Sequence, residues 1–202
     1  MNRTPLIGLD FDNTLISYDQ LFFTCALEDG LIPASLSADK MAVRDHLRES
    51  GREDVWTRLQ GEVYGVRIME APVFPGAFET LAALQRDGFS TCLVSHKTRV
   101  PYLGEGHDLR LAASNWLEGH GFFDEQGLGW TPDQVFFEST KAEKVARIVS
   151  LGCTHFVDDL SEVLEMLPDT ITRVLFSPSG RPDIGGDWLV LREWTQLPEL
   201  LR

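Results

Sequence analysis

The chain is short of positive charge: 18 lysines and arginines stand against 31 aspartates and glutamates in 202 residues, a formal net charge of -13. Nucleic-acid affinity rests on clustered Lys and Arg, so this balance excludes a polyanion-binding surface. It leaves room for a small anion in a locally positive site. Cysteine is scarce too. Cys25, Cys92 and Cys153 are odd in number, form no CxxC pair and lie in or beside apolar segments. That is the usage of reduced, buried thiols in a cytoplasmic protein, not of a disulfide framework. No apolar run approaches the ~18 residues of a membrane span. The N-terminal run is broken by Asp10 and Asp12, which argues against a signal peptide. The expectation is a cytoplasmic protein with neither a nucleic-acid nor a membrane partner. Repeats, low-complexity tracts and charge blocks are also missing. With 43% hydrophobic and 24% charged residues, a chain of this length suffices for one full core and a small second module.

What is present is organised around residues 6–15, LIGLDFDNTL. A short apolar run ending in acids predicts a buried parallel strand with chemistry at its carboxyl end. Beyond Thr14 the period becomes helical. Leu21, Phe22, Cys25 and Ala26 share one face; Val43, His46 and Leu47 mark a second helix over 39–49; Val55, Trp56, Leu59 and Val63 mark a third. From Val73 onward strands and helices alternate. Strands are predicted at 90–94, 134–137, 154–157 and 172–176. Helices are predicted from Phe78, at 108–118 with the stripe Leu109, Ala112, Ala113, Trp116 and Leu117, at 141–150 and at 161–167. The tail, 187–202, predicts a short strand and a terminal helix used for core packing. The expected fold class is α/β: a doubly wound, Rossmann-like parallel sheet from 1–16 and 73–202, with a small all-helical cap, 17–72, inserted into it.

Four places carry chemistry. Asp10 and Asp12, one residue apart, can serve one cation with the first side chain and the second backbone carbonyl, leaving the Asp12 carboxyl free for proton transfer. That division suits phosphoryl transfer through Mg2+. Ser95 ends a strand, where its hydroxyl can donate to a phosphate oxygen. Lys141 sits at the first position of a helix opened by the capping box Thr140 and Glu143. A cation there opposes the helix dipole and calls for a nearby anion. Lys144, one turn further in, reads as a solvated helix residue. Asp158 and Asp159 close the apolar run THFV, and adjacent acids at a buried strand end call for a cation or strong donors. An ordinary alternative is that Asp159, with Glu162, caps the next helix.

The spacing Asp10-x-Asp12-x-Thr14 after a hydrophobic run, followed in order by Ser95, Lys141 and Asp158-Asp159, resembles the haloacid dehalogenase superfamily, in its phosphatase branch with a small helical C1-type cap. The resemblance implies Asp10 as nucleophile, Asp12 as acid and base, Thr14 and Ser95 on the phosphate, and Lys141 balancing charge. It implies Mg2+ held by Asp10, Asp12, Asp158 and Asp159, and a small phosphorylated metabolite as substrate. Two departures stand out: Lys141 lies only 17 residues before Asp158, and Asn13 replaces the usual Gly before Thr14. The long loop 96–107 carries His96, Lys97 and Arg99, which are expected to contact phosphate or leaving group, with Phe22, Phe23 or Tyr64 lining the far wall. Dehalogenation would need neither Asp12 nor a metal, and phosphonate cleavage would need a cap lysine, for which Lys40 is the one candidate. A phosphomutase would use the same four motifs, and a catalytically silent binding module is a separate class that the presence of Asp10 and Asp12 disfavours.

Overall fold

The computed structural model describes residues 4–104, 106–178 and 185–201. Its helices are α1 (Asp19–Glu28), α2 (Lys40–Glu49), α3 (Glu53–Gly61), α4 (Ala77–Arg86), α5 (Leu109–Gly119), α6 (Lys141–Leu151), α7 (Ser161–Glu165) and α8 (Leu197–Leu200). Its strands are β1 (Leu6–Leu9), β2 (Ser90–His96), β3 (Val135–Glu138), β4 (His155–Asp158), β5 (Thr172–Phe176) and β6 (Leu189–Leu191). Contacts group the chain into two units: Met1–Ile16, Val73–Lys97 and Gly121–Arg202 form the first, and Ser17–Pro72 with Thr98–His120 the second.

In the first unit all strand pairs are parallel and the sheet order is β3-β2-β1-β4-β5-β6. The chain steps outward from β1 to β3, then crosses back to β4 and steps outward the other way. Right-handed crossovers therefore put α4 on one face and α6 and α7 on the other. β1 is buried on both faces, as a central parallel strand must be, with Ile7 and Leu9 fully covered. Gly8 stands between them because nothing larger fits: a Cβ there would lie 2.6 Å from Phe156 Cδ2 and 2.9 Å from Cys153 Sγ. Phe156 is the register partner of Gly8 on β4. It belongs to the core that Val94, Ile148, Val163, Leu164 and Leu175 build under α6 and α7. α6 is stopped cleanly by Gly152, whose φ of 73° makes the left-handed turn, while Cys153 N returns to Ile148 O.

The second unit is helical. Its centre is an aromatic cluster in which Phe22 meets Trp56 at 5.0 Å and Tyr64 at 5.5 Å, and Tyr18 meets Tyr64 at 4.9 Å. A wide π-helical turn, Glu62–Val66, follows α3 and carries Tyr64. α5 belongs to this unit, where the buried indole of Trp116 donates to Ala71 O at 2.8 Å. The sequence placed 98–120 in the α/β part. Its apolar stripe is real, with Leu109, Ala113, Trp116 and Leu117 buried, but a stripe does not say whether a sheet or other helices cover it. All three cysteines are free and buried, and burial pushes the Cys25 thiol up to about 12. Among the described residues no helix is long and apolar enough to cross a membrane.

The packing at Gly8 has a measurable sign. At an unhindered site Gly→Ala stabilises by roughly 0.4–1 kcal/mol through the unfolded chain. Gly8→Ala is expected to destabilise by about 1–3 kcal/mol from overpacking, read as a lower midpoint in urea. A raised midpoint would mean that the Phe156 ring and Cys153 move aside freely.

Candidate active site

Strand order reverses between β1 and β4, and in open parallel sheets ligands bind at the carboxyl ends of the strands beside such a switch point. Asp10 leaves β1 there, its N–H still bonded to Val157 O at 2.9 Å, and Asp158 is the last residue of β4. Lys144 reaches between them from α6, with Nζ 2.6 Å from Asp10 Oδ1 and 2.6 Å from Asp158 Oδ2. The group is almost dry: relative exposure is 5% for Asp10, 2% for Lys144 and 0% for Asp158. Burial alone would depress the Lys144 ammonium, but the charges of Asp10 and Asp158 outweigh it and hold the group above the ordinary lysine value. For Asp158 burial is the larger effect, and it pushes the carboxyl up to about 6 against the pull of Lys144. Asp158 Oδ1 accepts from Leu160 N at 3.0 Å. Asp159 completes the cluster: Asp10, Asp158 and Asp159 each offer one oxygen, all within 4.8 Å of one another.

The loop after Asp10 is folded by backbone bonds. The carbonyl of Phe11 accepts from the N–H groups of Thr14, Leu15 and Ile16 at 3.0–3.3 Å. The turn requires a left-handed residue, and Asn13 supplies it with φ 57°. Asn is among the few non-glycine types that adopt this conformation at modest cost, which explains how it replaces the glycine of the resemblance. The buried indole of Trp194 donates to Thr14 O at 3.1 Å, so the tail, expected only to fill the core, also fixes this loop. Asp12 does not join the carboxylate cluster with its side chain. Its two oxygens accept from Lys97 Nζ at 2.8 and 2.9 Å. Among the described residues, Thr14 Oγ1 and Ser95 Oγ find no hydrogen-bond partner, and both are buried.

The structure thus brings together, in one unit, Asp10, Asp12, Lys97, Lys144, Asp158 and Asp159, with Thr14 on the loop after β1 and Ser95 near the end of β2. Of the two lysines on α6, Lys144 meets Asp10 and Asp158. Lys141 is half-buried and pairs with Glu162 on α7, so the anion that a cation at a helix N-terminus calls for is a surface glutamate. Lys144 carried its own signal, since it lies one turn before Ile148 on the buried face of α6, and a lysine in an apolar stripe needs a buried counter-charge. Asp159 does not cap α7, whose N-cap position is Leu160 with no side-chain bond. His96 Nε2 bonds to Ser139 O at 3.0 Å. Lys97, expected to contact phosphate or leaving group, is buried against Asp12. Arg99 belongs to the second unit, where its Nε donates to Asp108 Oδ2 at 3.0 Å. Phe22 and Tyr64 pack in the aromatic cluster of that unit, and Lys40 Nζ lies 5.6 and 5.5 Å from their ring centroids.

No family model and no curated protein matches the chain by sequence. Solved structures do resemble it. A dehalogenase shares 14% identity at a TM-score of 0.60, over 99% of this chain and 98% of its own. YfnB of Bacillus subtilis, a putative HAD-hydrolase bound to magnesium, shares 14% at 0.58 over the whole of both chains. A predicted phosphoglycolate phosphatase of Haemophilus somnus 129PT shares 18% at 0.56, again over the whole of both. At such identities the common property is architecture, and the chain has the fold of the haloacid dehalogenase superfamily of hydrolases.

Proposed function

We propose that this chain is a Mg2+-dependent phosphatase that hydrolyses a small phosphorylated metabolite through an aspartyl phosphate on Asp10. The observation that carries the proposal is the buried Asp10–Lys144–Asp158 cluster with Asp159 beside it. Lys144 holds two of the three carboxylates, and hard oxygen donors at this spacing suit Mg2+. Asp10, Asp158, Asp159 and the backbone carbonyl of Asp12 are the groups that would hold it. When bound it supplies charge stabilisation for a transferring phosphoryl group.

The chain's own residues divide the remaining work. Lys144 holds Oδ1 of Asp10, and among the described residues Oδ2 makes no hydrogen bond, which leaves that oxygen as the nucleophile. It attacks phosphorus while the bond to the leaving oxygen breaks, and Asp12 gives that oxygen a proton. Asp12 then takes a proton from water as the water attacks phosphorus and the Asp10–phosphorus bond breaks. A buried hydroxyl without a partner costs about 1–3 kcal/mol. The Oγ atoms of Thr14 and Ser95 are therefore donors held ready for phosphoryl oxygens. The likeness to a dehalogenase concerns fold. Asp12 and the Asp158–Asp159 pair favour phosphoryl transfer, since displacement of a halide needs neither a proton nor a metal. The helical unit, built from the segments between β1 and β2 and between β2 and β3, is read as a cap, which favours a small substrate over a folded protein.

Two outcomes test this. Purified protein should turn over phosphate monoesters with Mg2+ and not in excess chelator, and Asp10→Asn should lower kcat more than about 10²-fold with the fold intact. Activity in chelator would refute the metal; retained activity of Asp10→Asn, without deamidation by mass spectrometry, would refute the nucleophile.

The lysines separate by stability as well as rate. Lys144→Ala leaves two buried carboxylates facing each other and is expected to cost ~3–5 kcal/mol at neutral pH, whereas Lys141→Ala, breaking a partly exposed pair, should cost under about 1 kcal/mol. Lys144→Ala should also cost more kcat. The pH dependence has a definite sign. Burial raises Asp158 from an ordinary 3.8 to about 6; loss of Lys144 raises it further. A carboxyl raised on folding contributes stability that is present at low pH and lost as pH rises through the folded value. In chelator, the gap in urea midpoint between wild type and Lys144→Ala should therefore be wider at pH 8 than at pH 5. A gap that widens on acidification would contradict the pairing.

A further inference from the structure

Among the described residues, Lys144 and Lys97 are the buried lysines, and only the first has a place in the chemistry above. Lys97 follows the last residue of β2, and its N–H extends the β2–β3 ladder to Glu138 O at 2.9 Å. Side chains two residues apart on a strand share a face, so the period that sets Ser95 at the strand end also brings Lys97 to it. There Nζ bonds both oxygens of Asp12 and lies 5.3 Å from the centroid of the Phe11 ring, a face that attracts a cation. The Lys97 side chain is 3% exposed and that of Asp12 24%. A cation so enclosed is poorly placed to select a leaving group from solvent, but well placed to act on the carboxylate it touches.

We propose that Lys97 is a positioning residue that sets the carboxyl of Asp12 for proton transfer; the inference rests on the phosphatase proposal above. Each carboxylate oxygen has two lone pairs. Lys97 engages one on each, which fixes the plane of the carboxyl. Asp12 stands on the loop beyond β1, partly exposed. In the first step the held carboxyl passes its proton to the leaving oxygen as the phosphorus–oxygen bond breaks. In the second it receives one from the attacking water. Lys97 gains and loses no proton in either step.

Leaving-group dependence tests this, because an alkoxide needs the proton and a dinitrophenolate does not. The value of kcat/KM reports the first irreversible step, here phosphoryl transfer. For Lys97→Met, kcat/KM for an alkyl phosphate is expected to fall about 10²-fold, within the range of general acid catalysis, through kcat with KM nearly unchanged. For a dinitrophenyl phosphate kcat/KM should fall less than about 5-fold, with a burst of dinitrophenolate before a slow steady state, since the second step still needs Asp12 as base. The double variant Asp12→Asn, Lys97→Met should be no slower on the alkyl ester than Asp12→Asn alone, because the two residues act as a unit. Urea unfolding checks each variant; if Lys97→Met is not folded, Lys97→Gln, similar in length and neutral, carries the same comparison. Equal losses on both esters, or losses that multiply in the double variant, would overturn the inference and make Lys97 merely structural. Wild-type protein with no Mg2+-dependent turnover of either ester would remove the phosphatase proposal and this inference together; wild-type turnover with an unselective Lys97 variant removes the inference alone.

Discussion

A lysine ammonium sealed from water must find its charge and hydrogen bonds within the protein, and Lys144 finds them on two carboxylates that arrive from different strands. Removing an ion from water costs several kcal/mol even after relaxation, and the attraction repays this only when geometry is close. Here both contacts are 2.6 Å. The register of β1 against β4, in which Leu9 pairs with Val157, sets Asp10 and Asp158 level. The rotation of α6, fixed by its Thr140 cap and by Ile148 in the core, aims Lys144 at them. Errors in sheet register or helix rotation would leave three buried charges mismatched. The cluster therefore acts as a check on the fold as well as a piece of chemistry.

Most of the architecture was legible in the sequence because it is written in periods of two and 3.6. The six strands were found to within about two residues at their ends, and the insertion after β1 was visible as three consecutive amphipathic helices with no strand signal. What the patterns could not supply was partnership. The stripe on α5 predicts a buried face and is silent on what covers it. Likewise Trp194 reads as an apolar residue near the end of the chain, and nothing local marks the carbonyl of Thr14, 180 residues away, as its hydrogen-bond partner.

The candidate site was legible in its carboxylates and less so in its cations. Acids that interrupt apolar strand ends are conspicuous, since burial of a carboxylate has few other uses. Lysines are ambiguous because the same side chain serves solvent and site. A helix-dipole argument favoured Lys141, yet Glu162 answers that conflict at the surface. Burial of a charge in the apolar stripe of α6 proved the stronger indicator. Lys97 shows the same lesson on a strand: its phase with Ser95, rather than its place in a long loop, determines where its ammonium lies.

The order of the sheet has a consequence for how the protein is made. β1 precedes the other strands of the sheet but lies between β2 and β4, so it cannot be covered until both are available. The contact between Asp10 and Lys144 spans 134 residues, and Asp158 comes later still. During synthesis the carboxylate of Asp10 stays without its ammonium until Lys144, 134 residues later, has been added. Contacts so distant in sequence must overcome the entropy of closing long loops before they return any energy, and proteins dominated by them fold slowly. The cluster at the switch point thus cannot assemble before β4 is in place.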